Sequence, residues 1–97
     1  MEGPDETIHQ SMRLRITATL NAIAPREMME FNTLKKLLDA TDGNLATRLN
    51  ALEGAGYLTV TKDFVPKKQR TRFALTPLGR KAFQRHVAYL RGLLEGN

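Results

Sequence analysis

The chain has 97 residues, no cysteine, and 15 basic against 10 acidic side chains, a net charge of +5. That length holds one domain with a modest core, which a second copy would help to stabilise. The absence of cysteine excludes disulfides, thiolate metal sites and thiol redox sensing. No apolar run approaches the roughly 18 residues of a membrane span, and the acidic start MEGPDETIHQ lacks the basic and apolar regions of a signal peptide. A cytoplasmic protein is expected.

Residues 1–8 are expected to be a flexible acidic tail, and residues 9–97 the folded domain. Glu2, Asp5 and Glu6 lie in that tail, so the remainder carries fifteen basic against seven acidic side chains. An excess of that kind suits a polyanionic partner, although it says nothing of fold. A first helix is expected over about Gln10–Ala24, with Met12, Ile16, Leu20 and Ile23 on one stripe and Leu14 nearly opposite. Pro25 ends it at or before Ala24. The segment REMMEF could supply an edge strand. A second helix is expected from Asn32 as N-cap to near Ala40, with Leu34, Leu37 and Leu38 as its apolar face.

The turn Ala40-Thr41-Asp42 leads into a third helix, over residues 42–54, capped by Thr41 or Asp42 and burying Leu45, Leu49 and Leu52. Gly56 is well placed as the residue that follows its C-cap. Leu58 and Val60 then alternate with Thr59 and Thr61, and Phe73 and Leu75 form a second such run. Between them lies the basic loop DFVPKKQR, with Pro66 inside it. Thr76-Pro77 opens a long last helix reaching about Leu94, threonine as N-cap and proline in the first turn.

These elements imply a mainly α fold with a small β-hairpin (α+β): a winged helix-turn-helix whose long N- and C-terminal helices form a dimer interface. The chain resembles the small single-domain winged-helix transcriptional regulators of the MarR/ArsR-like group. The resemblance is carried by LDATDGNLATRLNALEGAGYLTV (38–60), the basic wing, and TRFALTPLGRKAF (71–83) with its L-T-x-x-G-R run. It spans roughly residues 10–94. It implies a homodimer on a pseudo-palindromic DNA operator, often as a repressor.

With Leu45, Leu49 and Leu52 inward, Gly43, Asn44, Thr47, Asn50 and Ala51 face outward on the third helix and Arg48 lies on its flank. Gly43, Asn44, Thr47, Arg48 and Asn50 are the candidate base readers. Asparagine can pair with adenine, arginine with guanine, and a threonine methyl can touch that of thymine. An ordinary solvated helix face would carry the same residue types. In the wing, 62–72, the positive charges of Lys62, Lys67, Lys68, Arg70 and Arg72 stand against Asp63 alone. Arg70 is the first candidate for the minor groove, with Lys67 and Lys68 on phosphates and Lys35 and Lys36 of the second helix as further backbone contacts. Lysines that merely guard an edge strand are the alternative, and the agreement of charge, hairpin and preceding helix favours nucleic acid.

On the last helix Leu78, Ala82, Phe83, Val87, Tyr89, Leu90, Leu93 and Leu94 occupy about half the circumference. Leu14, Phe83, Val87, Leu90 and Leu94 are the expected dimer contacts; a broad intramolecular core is the alternative. His86, within that stripe, reads as a buried structural histidine, with a pH-sensitive interface contact as the other reading. No nucleophile–base pair, phosphate-cradling loop or metal-ligand motif occurs, so no enzyme activity, metal or cofactor is expected. The function expected is sequence-specific binding of double-stranded DNA. A protein-interaction module whose basic wing meets an acidic partner is the alternative, and no small-molecule effector can be named.

Overall fold

Three leucines four and three residues apart fix the centre of the molecule. Leu45, Leu49 and Leu52 are all buried, and they belong to a core with Ile16, Leu20, Leu34, Leu38, Leu58, Phe73, Leu75 and Ala82. The structure is a computed structural model, and it describes residues 11–96. The elements are α1 (Ser11–Asn21), β1 (Met29–Glu30), α2 (Phe31–Leu38), α3 (Asp42–Gly54), β2 (Leu58–Val65), β3 (Lys68–Leu75) and α4 (Pro77–Leu94). The expected tail, 1–8, lies outside the described residues. The strands form an antiparallel sheet in the order β1-β3-β2. Among the described residues no helix is long and apolar enough to cross a membrane.

The α1 helix lies against α2, α3, α4 and β3, so it is covered on more than one side. Ile16 and Leu20 are fully buried, and Leu14 packs on the same core from the other flank. Thr17, also buried, satisfies its hydroxyl by donating to the carbonyls of Arg13 and Leu14, 3.0 Å each. The helix stops at Asn21, earlier than Pro25 alone required. Arg80 of α4 takes over there, donating to the Asn21 carbonyl and side chain and to the Ile23 carbonyl, all at 3.3 Å. Arg15 does the same for α2, reaching the Leu38 carbonyl at 3.0 Å. Carbonyls at helix ends lack intrahelical donors, and an arginine supplies both a proton and a favourable charge.

The start of α2 differs from expectation. The edge strand β1 hands over directly to the helix, with Glu30 in the N-cap position and no side-chain cap, so Asn32 lies inside the helix. Phe31 packs instead on Phe73, ring centroids 6.4 Å apart. Leu37 is 60% exposed and is not part of the apolar face. Asp39 takes a left-handed conformation, φ 50°, and ends α2. The turn into α3 is therefore Asp39–Thr41, and the Thr41 hydroxyl accepts from the Asn44 amide at 3.3 Å. At the other end Gly56 has φ 82°, and Tyr57 donates back to the Leu52 carbonyl at 3.0 Å, a Schellman closure.

Thr76, Gly79 and Arg80 each have a mechanical role. The Thr76 hydroxyl donates to the Gly56 carbonyl at 2.7 Å and accepts from the Gly79 amide at 2.9 Å. Its amide donates to the Tyr57 carbonyl at 3.0 Å. Gly79 is buried where a Cβ would meet the Tyr57 backbone, 3.0 Å from its carbonyl carbon and 3.1 Å from its Cα. In an open helix Gly→Ala would gain about 1 kcal/mol. Here backbone blocks the methyl on a junction tied by three hydrogen bonds, and overpacking costs roughly 1–3 kcal/mol. The clash should win. Gly79→Ala is expected to lower stability by about 1–2 kcal/mol in urea unfolding; an unchanged or raised midpoint would show that α4 can slide away from Tyr57.

Candidate nucleic-acid interface

The face of α3 opposite its leucines is polar and open. Gly43, Asn44, Thr47 and Asn50 are exposed, and Arg48 and Ala51 are half-buried. A Cβ at Gly43 would meet nothing, so the protein's own packing does not call for glycine there. At about 100° per residue, Asn50 lies on the flank shared with Ala46 and Glu53, while Asn44 and Arg48 lie on the other. The candidate readers therefore form two edges with Thr47 between them.

The basic segment is a strand pair and not a loop. Pairing is continuous from Leu58↔Leu75 to Val65↔Lys68, leaving Pro66 and Lys67 as a two-residue turn. Proline fixes φ near −65°, and Lys67 has φ 73°. That combination suits a type II turn, which normally places glycine where Lys67 stands. Cross-strand partners share a face and alternate residues oppose it. Lys62, Phe64, Gln69 and Thr71 thus continue the face that begins with the core residues Leu58, Val60, Phe73 and Leu75. Asp63, Arg70 and Arg72 lie on the other face, beside Glu30, which pairs in register with Arg72.

On that second face the charges are already engaged. Arg70 binds Asp63 through two parallel hydrogen bonds, Nε to Oδ1 at 3.0 Å and Nη2 to Oδ2 at 2.8 Å. Arg72 donates to the same Oδ2 at 3.1 Å, and Arg70 Nη1 is 3.9 Å from Glu30. The Arg70 hydrogen bonds hold the Asp63 carboxyl below the ordinary carboxylate range, and Asp63 in turn raises the Arg70 guanidinium. Arg70 is therefore not a free cation at the wing tip, as the sequence suggested. It sits three residues from the turn, on a carboxylate. Lys62, Lys67 and Lys68 are exposed and among the described residues have no carboxylate within ion-pair distance. Lys35 is paired to Asp42 at 2.7 Å, and Lys36 is exposed.

Between α3 and the wing runs an open groove of about 400 Å³. Its floor includes Leu49, Val60, Phe31 and Phe73, and its rim includes Asn50, Lys62, Lys68 and Gln69. Gln69, Thr71 and Asn32 line this groove without having been named as candidate contacts from the sequence. Alternation along the strands would have identified the first two once Pro66-Lys67 was read as the turn. Of the expected dimer contacts, Leu14 and Phe83 pack on the chain's own core, Val87 and Leu90 are half-buried, and Leu94 is 88% exposed. His86 is buried, with the Tyr89 ring centroid 6.3 Å away. Among the described residues no cluster of histidine and carboxylate side chains could hold a metal ion.

The family model of the winged helix DNA-binding domain matches residues 12–94. An uncharacterized protein of Methanocaldococcus jannaschii is 36% identical over 76 residues, 78% of this chain and 79% of its own. A transcriptional regulator homologue from Pyrococcus horikoshii OT3 is similar in structure, with a TM-score of 0.83 and 27% identity, over 95% of this chain and 88% of that one. A MarR-family protein of Porphyromonas gingivalis W83, 19% identical, shares the fold with a TM-score of 0.60 over 100% and 98% of the two chains.

The wing ion pairs make a testable prediction about pH. A carboxyl with a lowered pKa in the folded state stabilises it above the unfolded value of about 3.9. That contribution is lost as pH falls through the lowered folded value. Arg70→Ala removes the main donor, so the Asp63 midpoint in an NMR carboxyl titration should move up toward the ordinary range. A midpoint that stays in place would mean that Arg72 alone holds the carboxylate.

Proposed function

The chain belongs to the winged helix DNA-binding domain family, and we propose that it acts as a homodimeric, sequence-specific transcriptional repressor. The observation that carries this reading is the open polar face of α3 set beside a wing whose Lys62, Lys67 and Lys68 are exposed. The α3 helix enters the major groove, with Asn44, Thr47, Arg48 and Asn50 at base edges. Gly43 admits a phosphate close to the positive end of the helix. The three lysines take neighbouring phosphates, and Lys36 extends that contact from α2. Arg70 and Arg72 join only by exchanging Asp63 for a phosphate, and Lys35 only by leaving Asp42.

The second copy meets the far half of α4. Leu93 and Leu94 are 58% and 88% exposed and continue the stripe of Val87 and Leu90, so an apolar edge is left for a partner to cover. Leu14 and Phe83, partly buried against the core, complete the proposed contact. A two-fold pair would place two α3 helices about 34 Å apart, one turn of duplex. A soluble regulator of this kind would act in the cytoplasm, and catalysis has no residues to perform it. No effector is assigned.

Selection of bound duplexes from a random pool tests the reading. An enriched two-fold motif with half-sites about one turn apart is expected. Salt-sensitive retention with no motif would leave only a basic surface, and no retention would remove DNA as the partner. Asn44→Ala should relax preference at one base position, by about 1–3 kcal/mol; an identical motif would mean that α3 is docked differently.

Leu90→Glu should shift sedimentation toward monomer. A dimer of unaltered strength would place the interface elsewhere.

A further inference from the structure

Phe64 has no role in the fold. It is 81% exposed, the most exposed aromatic side chain among the described residues, and it stands one residue before the turn-flanking pair Val65↔Lys68. Its partner across the hairpin is Gln69, and its neighbour two residues back on the same face is Lys62. The turn next to it is also unfavourable for the free protein, because Lys67 holds φ 73°, a backbone region that suits glycine. A lysine there lowers the stability of the isolated hairpin, and the exposed phenyl ring beside it adds no core packing to offset that. Backbone outliers of this kind cluster at functional sites, and Lys67, unlike Asp39, ends no helix.

The surroundings of the ring decide what that contact is. The only carboxylate in the hairpin, Asp63, points to the opposite face and is held by Arg70 and Arg72. On and around Phe64 stand Lys62, Lys67, Lys68 and Gln69, all exposed. Such a tip is attracted to a polyanion, while the ring needs an apolar surface within a few ångströms of the negative charges. Duplex DNA has that composition: deoxyribose and base edges line a minor groove walled by phosphates. Apolar side chains entering it can wedge between base steps.

We infer that Phe64 is a DNA-contacting wedge, its ring carried into the minor groove beside the site read by α3 while Lys67 and Lys68 hold the flanking phosphates. This rests on the DNA-binding reading above and adds a contact that bears on affinity and on the deformability of the bound sequence. The wing then contributes an uncharged term to binding. That term resists salt, unlike the lysine contacts, whose counterion release does not.

The test uses the full chain and the duplexes recovered from the random pool, with affinity read by fluorescence anisotropy at several salt concentrations. Phe64→Ala is expected to weaken binding on the order of tenfold, the scale of one base–aromatic contact, with an unchanged salt slope. Lys67→Ala should instead lower that slope by about one. A 2-aminopurine placed at the wing-proximal step should brighten with the wild-type chain and not with Phe64→Ala. Thermal melting should be unchanged in Phe64→Ala, because the ring is out of the core.

Equal affinity of Phe64→Ala and wild type would overturn the wedge and leave the DNA reading intact. So would a loss confined to anionic phospholipid vesicles, which would assign the tip to a membrane surface. A wild-type chain that holds no duplex at all would overturn both.

Discussion

The junction between the end of α3 and the start of α4 sets the geometry of everything that could touch DNA. Thr76 binds Gly56 and Tyr57 through its hydroxyl and its amide, and Gly79 brings the first turn of α4 onto the Tyr57 backbone. The hairpin begins and ends within a residue of these contacts, at Leu58↔Leu75. One small region therefore fixes the direction of α3 and the root of the wing together. Glycine at 56 gives the positive φ that turns the chain, and glycine at 79 gives the space that lets α4 close the turn. A side chain at either position would change the angle between the helix and the wing, and with it the width of the groove between them.

Distance from that root divides the hairpin by task. Near the root its inner face is core: Leu58, Val60, Phe73 and Leu75 pack beneath α3 and α1. Midway, the outer face carries Asp63 between two arginines, a cross-strand clamp that holds the ribbon in register where no core supports it. At the tip neither packing nor ion pairing remains, and Lys67, Lys68 and Phe64 stand in solvent. A single carboxylate thus separates arginines that brace the wing from lysines that are free to meet phosphate. Composition alone counts these cations as equivalent, whereas the register makes them different.

Much of the fold was legible because its signals are local. Leucine spacing placed α3, Thr41 and Thr76-Pro77 marked helix starts, and Gly56 marked a helix end. Each works through its own neighbours in sequence. What the sequence hid depends on partners far along the chain. Glu30, and not Asn32, precedes α2, because β1 pairs with β3 more than 40 residues later. Leu37 looks like a core residue by spacing, yet the sheet and α1 cover only the Leu34 and Leu38 side of α2. Leu14 was assigned to an outer face, and α1 turned out to be enclosed on several sides. For the candidate interface the face of α3 could be read from helical geometry. The pairing of Lys35 with Asp42 and of Arg70 with Asp63 could not, since charge counting does not tell which cation a carboxylate will choose.

The same division explains why the wing can be both stable and adaptable. An exposed two-stranded ribbon is marginal in water without further support. Here β1 joins β3 at the root, and the Asp63 clamp extends order outward by about two residue pairs. Beyond the clamp only the pairs Phe64↔Gln69 and Val65↔Lys68 and the Pro66-Lys67 turn hold the strands together, and that turn uses a residue ill suited to its backbone. Stability therefore falls toward the tip just where exposed positive charge and the one bare aromatic ring are concentrated. A contact at the tip can order that end without disturbing the junction at Gly56, so the docking angle of α3 and the adjustment of the wing to a phosphate chain become separate variables. In the proposed docking, that separation would let one rigid α3 helix serve on duplexes whose groove widths differ.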